Sequence, residues 1–251
     1  MRYLCLVVLL LVTACARPPA PVWTELPAAE EVLARLQAES GRFRALDAEA
    51  GVDLSAPGKS FSSRQFLLLE RPDRLPIDVL TGFGQLLLQL ASDGDTLEVL
   101  LNSSAPRRFL RGPASYENIS RFVRIPLAVG DLLPLLLHDP PVIAYRQSRT
   151  VERDGELVLS LSGDDNSQEL VFNERLQLTG CRYLAADQLL LAVTYRNFMG
   201  EPLFPRKIVI EIPAEESRVT LSFGDLSLNT PIGASKFSLQ KPENVAVEIL
   251  P

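Results

Sequence analysis

Short segments in which apolar and polar residues alternate run through most of the chain, and no other feature constrains the fold as strongly. In one of them, Val219, Leu221 and Phe223 alternate with Thr220 and Ser222. This alternation is typical of strands that bury one face and expose the other. We count about eleven such segments, and open twisted sheets beyond ~10 strands curl or split. The pattern therefore predicts a strongly curved antiparallel half-barrel.

Two stretches have helical spacing instead. A short amphipathic helix is predicted between Pro27 and Gly41, and residues 113–141 predict two further helical pieces separated by Pro126. Because the central pieces interrupt the series of strands, we expect them to lie across the concave face as a lid. A cleft between the sheet and the lid is then expected. The predicted fold class is α+β, mostly β, with one domain over residues 25–251.

The N-terminal segment is typical of an exported protein. Arg2 precedes a run of twelve apolar or small residues, Tyr3–Ala14. This run is shorter than the ~20 residues that a membrane span requires, and it fits the apolar core of a signal peptide. We therefore predict that residues 1–14 are a signal peptide.

The sequence "VTAC" at the end of this run resembles a bacterial lipobox. The resemblance implies cleavage before Cys15 and acylation of that cysteine, with residues 15–24 as an extended tether. The alternative is ordinary secretion, with cleavage after Ala16. Because Ala16 rather than aspartate follows the cysteine, the same resemblance favours the outer membrane of a Gram-negative bacterium, with the domain facing the periplasm.

Charge and residue content argue against several functions. The net charge of −6 disfavours a nucleic-acid partner, which requires a basic face. We find no catalytic motif, no metal-ligand cluster and no glycine loop for a cofactor phosphate, so we expect no enzyme activity, no metal and no cofactor. His138 is expected to cap a helix. A dyad of His138 with Cys181 is conceivable but matches no motif.

Several predicted strands are apolar on both faces, as in Phe66–Glu70, Gln85–Leu90 and Gln188–Val193. Helices and neighbouring structure could cover both faces of any one of them. Together with the half-barrel they favour an apolar interior that holds acyl chains. The residues that we expect to line it are Leu86, Leu88, Leu133, Leu136, Val193 and Phe223.

An aromatic residue occupies the tip of one predicted hairpin. Phe83 lies between Gly82 and Gly84, where exposed turn residues are usual. From the residues alone, two arrangements are open. The ring either faces solvent or folds back into the core.

Five segments in this order resemble the LolA/LolB-like superfamily, and most closely the outer-membrane lipoprotein receptor LolB and its relatives. They are the lipobox, "PVWTEL", "RPDRLPIDVLTGFGQLLLQLASDG", "RFVRIPLAVGDLLPLLL" and "FPRKIVIEI". The resemblance implies a half-barrel capped by helices, with an apolar cavity for the acyl chains of lipoproteins. It also implies a LolA-like periplasmic carrier as the donor of those chains.

The family carries an exposed apolar residue in one loop, which serves delivery into the bilayer and corresponds to Phe83. Gly82, Phe83 and Gly84 are therefore expected to form a membrane-inserting loop, although Gly82 stands where the family usually has proline. The resulting hypothesis is a lipid-anchored, non-enzymatic and monomeric protein. It would bind acyl chains of lipoproteins or other lipids and help to localise them to the outer membrane. The alternatives are an envelope-assembly lipoprotein that binds a protein partner and, least favoured, a lipid hydrolase.

Overall fold

A single open, curved sheet of fourteen strands dominates the computed structural model, which describes residues 23–123 and 129–251. The predicted signal peptide (residues 1–14), the lipidation site Cys15 and most of the predicted tether lie outside the described residues. None of the helices in the described ranges has the length and hydropathy that a membrane span requires.

The helices lie at two positions in the chain, one before the first strand and two between the sixth and seventh strands. The helices are α1 (Ala29–Glu39), α2 (Tyr116–Val123) and α3 (Val129–Leu136). The strands are β1 (Ala45–Ala56), β2 (Lys59–Glu70), β3 (Leu75–Leu80), β4 (Leu86–Ser92), β5 (Thr96–Leu101), β6 (Arg108–Pro113), β7 (Gln147–Arg153), β8 (Glu156–Ser162), β9 (Asn166–Phe172), β10 (Leu178–Ala185), β11 (Gln188–Met199), β12 (Phe204–Ile212), β13 (Ser217–Leu228) and β14 (Val247–Ile249).

The strand order is β14-β6-β5-β4-β3-β2-β1-β13-β12-β11-β10-β9-β8-β7. Pairing of β1 with β13 joins two antiparallel meanders into one sheet. The predicted fold class is confirmed, and three strands add to those predicted: β6, β7 and β14. β7 has a mainly polar sequence because it is an edge strand with little buried surface. β14 has only three residues and pairs with β6 in parallel.

Alternate hairpin loops lie at opposite ends of the strands, because successive strands are antiparallel. The loops at residues 57–58, 81–85 and 102–107 share one end, which we call the Phe83 rim. The loops at residues 71–74 and 93–95 share the other end, which we call the opposite rim.

The concave face of the sheet holds the main core, and α2 and α3 cross it. In α3, Leu132, Leu133, Leu135 and Leu136 are buried although Pro134 lies within the helix. The predicted lid is therefore present. It belongs to the same hydrophobic cluster as the inward residues of the strands.

A second, smaller apolar layer lies on the convex face. The segment 234–251 crosses this face and covers part of it, with Phe237 buried and its short 3-10 turn packed against β3 and β4. The amide of Leu239 donates a hydrogen bond of 2.7 Å to Glu98 of β5. The segment ends in β14, where the amide of Leu250 donates to the carbonyl of Arg111 at 2.8 Å.

Candidate functional site

A cavity of about 770 Å³ lies between the helices α2 and α3 and the strands β1 to β4 and β13. Its volume is within the range of about 300–1,000 Å³ that is usual for small-molecule sites. The described residues of the wall are apolar apart from Gly58, Lys59, Ser60, Gln65 and Ser103. A wall of this kind can hold a hydrocarbon chain but offers little to a polar ligand.

The cavity is closed at one end and open at the other. Toward the opposite rim its wall is formed by Leu69, Leu75 and Leu90, which are each 1% exposed. Toward the Phe83 rim it reaches the exposed residues Lys59 and Phe61 of β2. The mouth of the cavity is therefore at the Phe83 rim.

A β-bulge widens the apolar wall near the mouth. Val79 pairs with Leu88 and Leu80 pairs with Leu86, so Leu87 is left as an extra residue in β4. A bulge of this kind places two consecutive side chains opposite one residue of the partner strand. Both Leu87 and Leu88 line the cavity as a result.

Three of the six residues predicted to line a cavity are in its wall. Leu88 lies on β4, and Leu133 and Leu136 extend from α3. The leucine of β4 and the two leucines of α3 thus lie on opposite walls of the cavity. Contact with a lipid stays a prediction for each of them.

The other three lie elsewhere, for different physical reasons. Leu86 pairs with Leu80, beyond the bulge, on the face that points away from the cavity. Val193 lies on β11, away from this cavity, and lines a separate pocket of about 490 Å³ with residues of β10 and β11. Two positions further along β11, Tyr195 donates a hydrogen bond of 3.0 Å to the carbonyl of Leu135 in α3. That prediction of lining is corrected for both residues.

Phe223 also faces inward but belongs to an aromatic cluster. Its ring centroid is 6.1 Å from that of Phe204, which in turn lies 5.1 Å from Phe43. These rings fill the concave face beside β12 and β13 toward the opposite rim. Phe223 is therefore part of the packed core and not of the cavity wall.

Phe83 stands in solvent at the tip of the hairpin between β3 and β4. Its side chain is 98% exposed. The turn beneath it is closed by hydrogen bonds from the amide of Gly84 to Thr81 (2.9 Å) and from the amide of Thr81 to Gln85 (2.8 Å). Of the two arrangements that the sequence allows, the structure has the exposed ring. Its insertion into a membrane stays a prediction.

The two glycines of this tip have different roles. Gly84 has a φ of +79°, a left-handed conformation that glycine adopts without strain, whereas Gly82 is not in that region. A Cβ atom at Gly82 would meet no heavy atom within 4 Å. The turn geometry therefore needs glycine at position 84 and tolerates another residue at position 82.

His138 and Cys181 are structural. His138 follows α3 in a left-handed conformation (φ +58°), and its amide donates to the carbonyl of Leu135 at 3.3 Å, so its backbone caps the helix. Its ring does not interact with the helix end, because Nε2 donates to the carbonyl of Leu178 in β10 at 2.9 Å. Burial lowers the pKa of His138, which favours a neutral ring. Burial raises the pKa of the Cys181 thiol to about 12, so this thiol carries no nucleophilic charge near neutral pH. Within residues 23–123 and 129–251, no three His, Cys, Asp or Glu side chains form a potential metal site.

Solved structures share this fold of one open, curved sheet with few helices, which is LolA-like. The LolA superfamily protein from Nitrosomonas europaea matches 85% of this chain and 99% of its own, with a TM-score of 0.54 and 16% identity. A putative outer membrane lipoprotein-sorting protein domain from Vibrio parahaemolyticus matches 83% of this chain and 97% of its own (TM-score 0.52, 15% identity).

A protein of the DUF1329 family from Desulfovibrio piger has the same fold, with a TM-score of 0.53 and 12% identity over 84% of this chain and 95% of its own. No family model matches the sequence. The search of curated proteins gives no match either. The predicted resemblance to the LolA/LolB-like superfamily is thus confirmed at the level of the fold, and a closer relation to LolB stays a prediction.

Proposed function

We propose that this chain is a lipid-anchored envelope protein that holds an acyl chain of a lipoprotein or another lipid and passes it to the outer membrane. One observation carries the proposal: the mouth of the apolar cavity and the exposed ring of Phe83 lie at the same rim. A chain that leaves the cavity there emerges beside an aromatic residue suited to the membrane interface. No covalent step is required.

The cavity supplies the affinity in this proposal. Each methylene group removed from water contributes about 0.8 kcal/mol, so ten buried methylenes contribute about 8 kcal/mol before the ordering of the chain is subtracted. The closed end at Leu69, Leu75 and Leu90 excludes water from the tail. The open end leaves the headgroup outside the apolar wall.

Phe83 would supply the contact with the membrane. Burial of a phenyl ring in an apolar environment contributes roughly 1.5–3 kcal/mol, and this gain offsets the free-energy cost of exposing the ring to water before the membrane is reached. The tight turn at Thr81–Gln85 holds the ring away from the domain. Delivery would then proceed from the mouth, along the hairpin, into the bilayer.

The descriptions of two similar structures support a lipoprotein or lipid as the class of ligand. Two proteins with this fold are described as a LolA superfamily protein and as a lipoprotein-sorting domain. The location in the outer membrane depends on acylation of Cys15, and a LolA-like periplasmic carrier is the expected donor. Mass spectrometry of the mature N-terminus tests this part, because acylation adds a fixed mass to Cys15.

Lipid binding is tested directly with the full chain carrying Cys15→Ala, which removes the acylation site. Titration with a fluorescent fatty acid should give saturable binding to one site, and unlabelled fatty acid should displace the probe. Absence of saturable binding would refute the proposal. It would leave the envelope-assembly alternative, in which the same fold binds a protein partner.

A further inference from the structure

Among the described residues that line the cavity, Lys59 at the mouth is the one with a charged side chain. We infer that the cavity selects amphiphiles with an anionic headgroup, a carboxylate or a phosphate, over neutral amphiphiles of the same chain length, and that Lys59 contacts this headgroup. The inference rests on the proposed function, since it names the class of lipid that the same cavity would hold.

The position of Lys59 follows from the register of β2. Lys59 opens this strand opposite Ala56 of β1, and it shares its face with Phe61 and Gln65, since side chains alternate along a strand. All three of these β2 residues line the cavity. The lysine side chain is thus on the cavity face of the strand, at the end where the cavity meets solvent.

The acidic side chains of the same hairpin lie on its other face. Asp53 accepts a hydrogen bond of 2.5 Å from the hydroxyl of Ser62, and Glu49 forms an ion pair of 3.3 Å with Arg64. None of the ion pairs within the described part of the chain includes Lys59. Its ammonium group is therefore available to a ligand.

A polar residue near the mouth adds to the difference between the two ends of the cavity. Ser103 lines the cavity at the Phe83 rim, whereas Leu69, Leu75 and Leu90 close it at the far end. An amphiphile placed tail first would bring its headgroup to the end that holds Ser103 and the ammonium group of Lys59. Because Lys59 is exposed, we expect its contribution to be modest, about three- to five-fold in affinity.

Two matched pairs of ligands test the inference on the full chain carrying Cys15→Ala. Palmitic acid is compared with 1-hexadecanol, and palmitoyl lysophosphatidic acid is compared with monopalmitoylglycerol, each as a competitor of a fluorescent fatty acid. We expect the anionic member of at least one pair to bind about three- to five-fold more tightly at low salt. A preference in the first pair alone indicates fatty acids, in the second alone phospholipids, and in both any anionic headgroup.

Variants of the lysine assign the effect to its charge. Lys59→Met should abolish the preference by weakening the anionic ligand alone, and Lys59→Arg should retain it. Lys236→Met, on the convex face, is the matched control and should change nothing. High salt should reduce the preference in the protein with Lys59, since screening weakens exposed charge pairs.

Equal affinity for both members of both pairs would overturn the inference while leaving the proposed function intact. Equal loss of the anionic and neutral ligands in Lys59→Met would also overturn it, since the lysine would then act through packing. Absence of binding by all four ligands would instead refute the proposed function itself. The two failures are therefore distinguishable.

Discussion

The guanidinium of Arg71 lies 2.6 Å from the carboxylate of Asp139, and this ion pair joins the end of the lid to the sheet. Both side chains are largely buried, at 24% and 16% exposure. The same carboxylate oxygen accepts hydrogen bonds from the hydroxyl of Ser40 (3.1 Å) and the amide of Gly41 (3.0 Å). The lid is thus fixed at the opposite rim, away from the mouth of the cavity, so we expect movement of the lid to be largest near the mouth.

We expect Asp139→Ala to lower the free energy of unfolding by about 2–3 kcal/mol, because it leaves a partly buried guanidinium without its charged partner. Urea denaturation measures the change. Asp164→Ala is the control, since the pair of Asp164 with Arg146 (2.7 Å) is exposed and should contribute less than about 1 kcal/mol. Equal effects of the two variants would contradict the role of Asp139 as the attachment of the lid.

Replacement of Phe83 by glutamate should abolish transfer of a bound fluorescent lipid to liposomes and leave binding in solution unchanged. A charged side chain does not enter the apolar part of a bilayer, and a residue that is 98% exposed makes little contribution to folding. Phe83→Leu should retain most of the transfer. Transfer is followed by fluorescence, and folding by thermal melting.

Leu203→Glu is the matched control for Phe83→Glu. Leu203 is 51% exposed and lies in the loop between β11 and β12 at the opposite rim. Since it is far from the mouth along the strands, its replacement should not reduce transfer. If both variants lose transfer, or if Phe83→Glu retains it, the hairpin is not the delivery site.

Leu88→Trp should weaken lipid binding by at least ten-fold, because the indole ring would occupy space in the cavity. Leu86→Trp should leave affinity unchanged, since Leu86 lies on the other face beyond the bulge. Titration with a fluorescent fatty acid compares the two variants, and urea denaturation checks that both are folded. If Leu86→Trp weakened lipid binding more than Leu88→Trp, the bulge would not determine which side chains of β4 face the cavity.

Stability should fall as the pH drops through about 6.5, and His138 should account for it. Burial lowers the pKa of His138 in the folded protein, so the unfolded chain binds more protons between the folded pKa and the unfolded value of 6.5. The slope should not exceed about 1.4 kcal/mol per pH unit. Denaturation between pH 5.5 and 7.5 measures it, a window of about two units around the unfolded pKa of histidine.

His138→Gln is the informative variant, because glutamine can donate to the carbonyl of Leu178 and does not titrate. His138 is the single histidine of the sequence, so the slope should disappear in this variant. Persistence of the slope would assign it to other groups.

Gly112→Ala should destabilise the pairing of β14 with β6. A Cβ atom at Gly112 would lie 2.6 Å from the Cβ of Leu250, and we expect such overpacking to lower stability by about 1–3 kcal/mol. Faster hydrogen exchange at the amide of Leu250 would report the loss locally. Gly130→Ala in α3, where a Cβ meets nothing within 4 Å, should not destabilise the protein.

Alternation along the sequence predicted which face of a strand is buried, but not what that face meets. Phe223 faces inward, as the alternation around it indicates, whereas Val193 belongs to a segment that is apolar on both faces and gives no such indication. Phe223 packs in an aromatic cluster with Phe204 and Phe43, and Val193 lies away from the cavity on β11. Where a lid packs and where it leaves space depends on residues distant in sequence, so it could not be predicted from the pattern of a single strand.

The assignment of Leu86 failed for a local reason. A run of leucines has the same appearance in either register, and the bulge at Leu87 reverses the alternation between Leu86 and Leu88. The bulge is defined by pairing with β3, which the sequence of β4 alone does not reveal. The glycines that flank Phe83 marked a hairpin tip from local sequence, but exposure of the ring was expected only from the family resemblance.

The same limit applies to Lys59, for which we infer a contact with the headgroup. A lysine after "PG" in a hairpin is ordinary in sequence, and nothing nearby singles it out. Only the pairing of β2 with β1 and the position of the lid bring it to the mouth of the cavity. It shares the cavity wall with Ser103, which is 44 positions further along the chain (103 − 59 = 44).

The segment 234–251 leaves the ribosome after all the strands that it covers. Until it arrives, the edge of β6 has no partner and the apolar residues Leu100 and Phe109 on the convex face lack their cover. Nascent chains and truncated products therefore expose an unpaired, apolar strand edge, which can pair with a strand of another molecule. Protection of that edge during biosynthesis has to come from a chaperone or from rapid completion of the polypeptide.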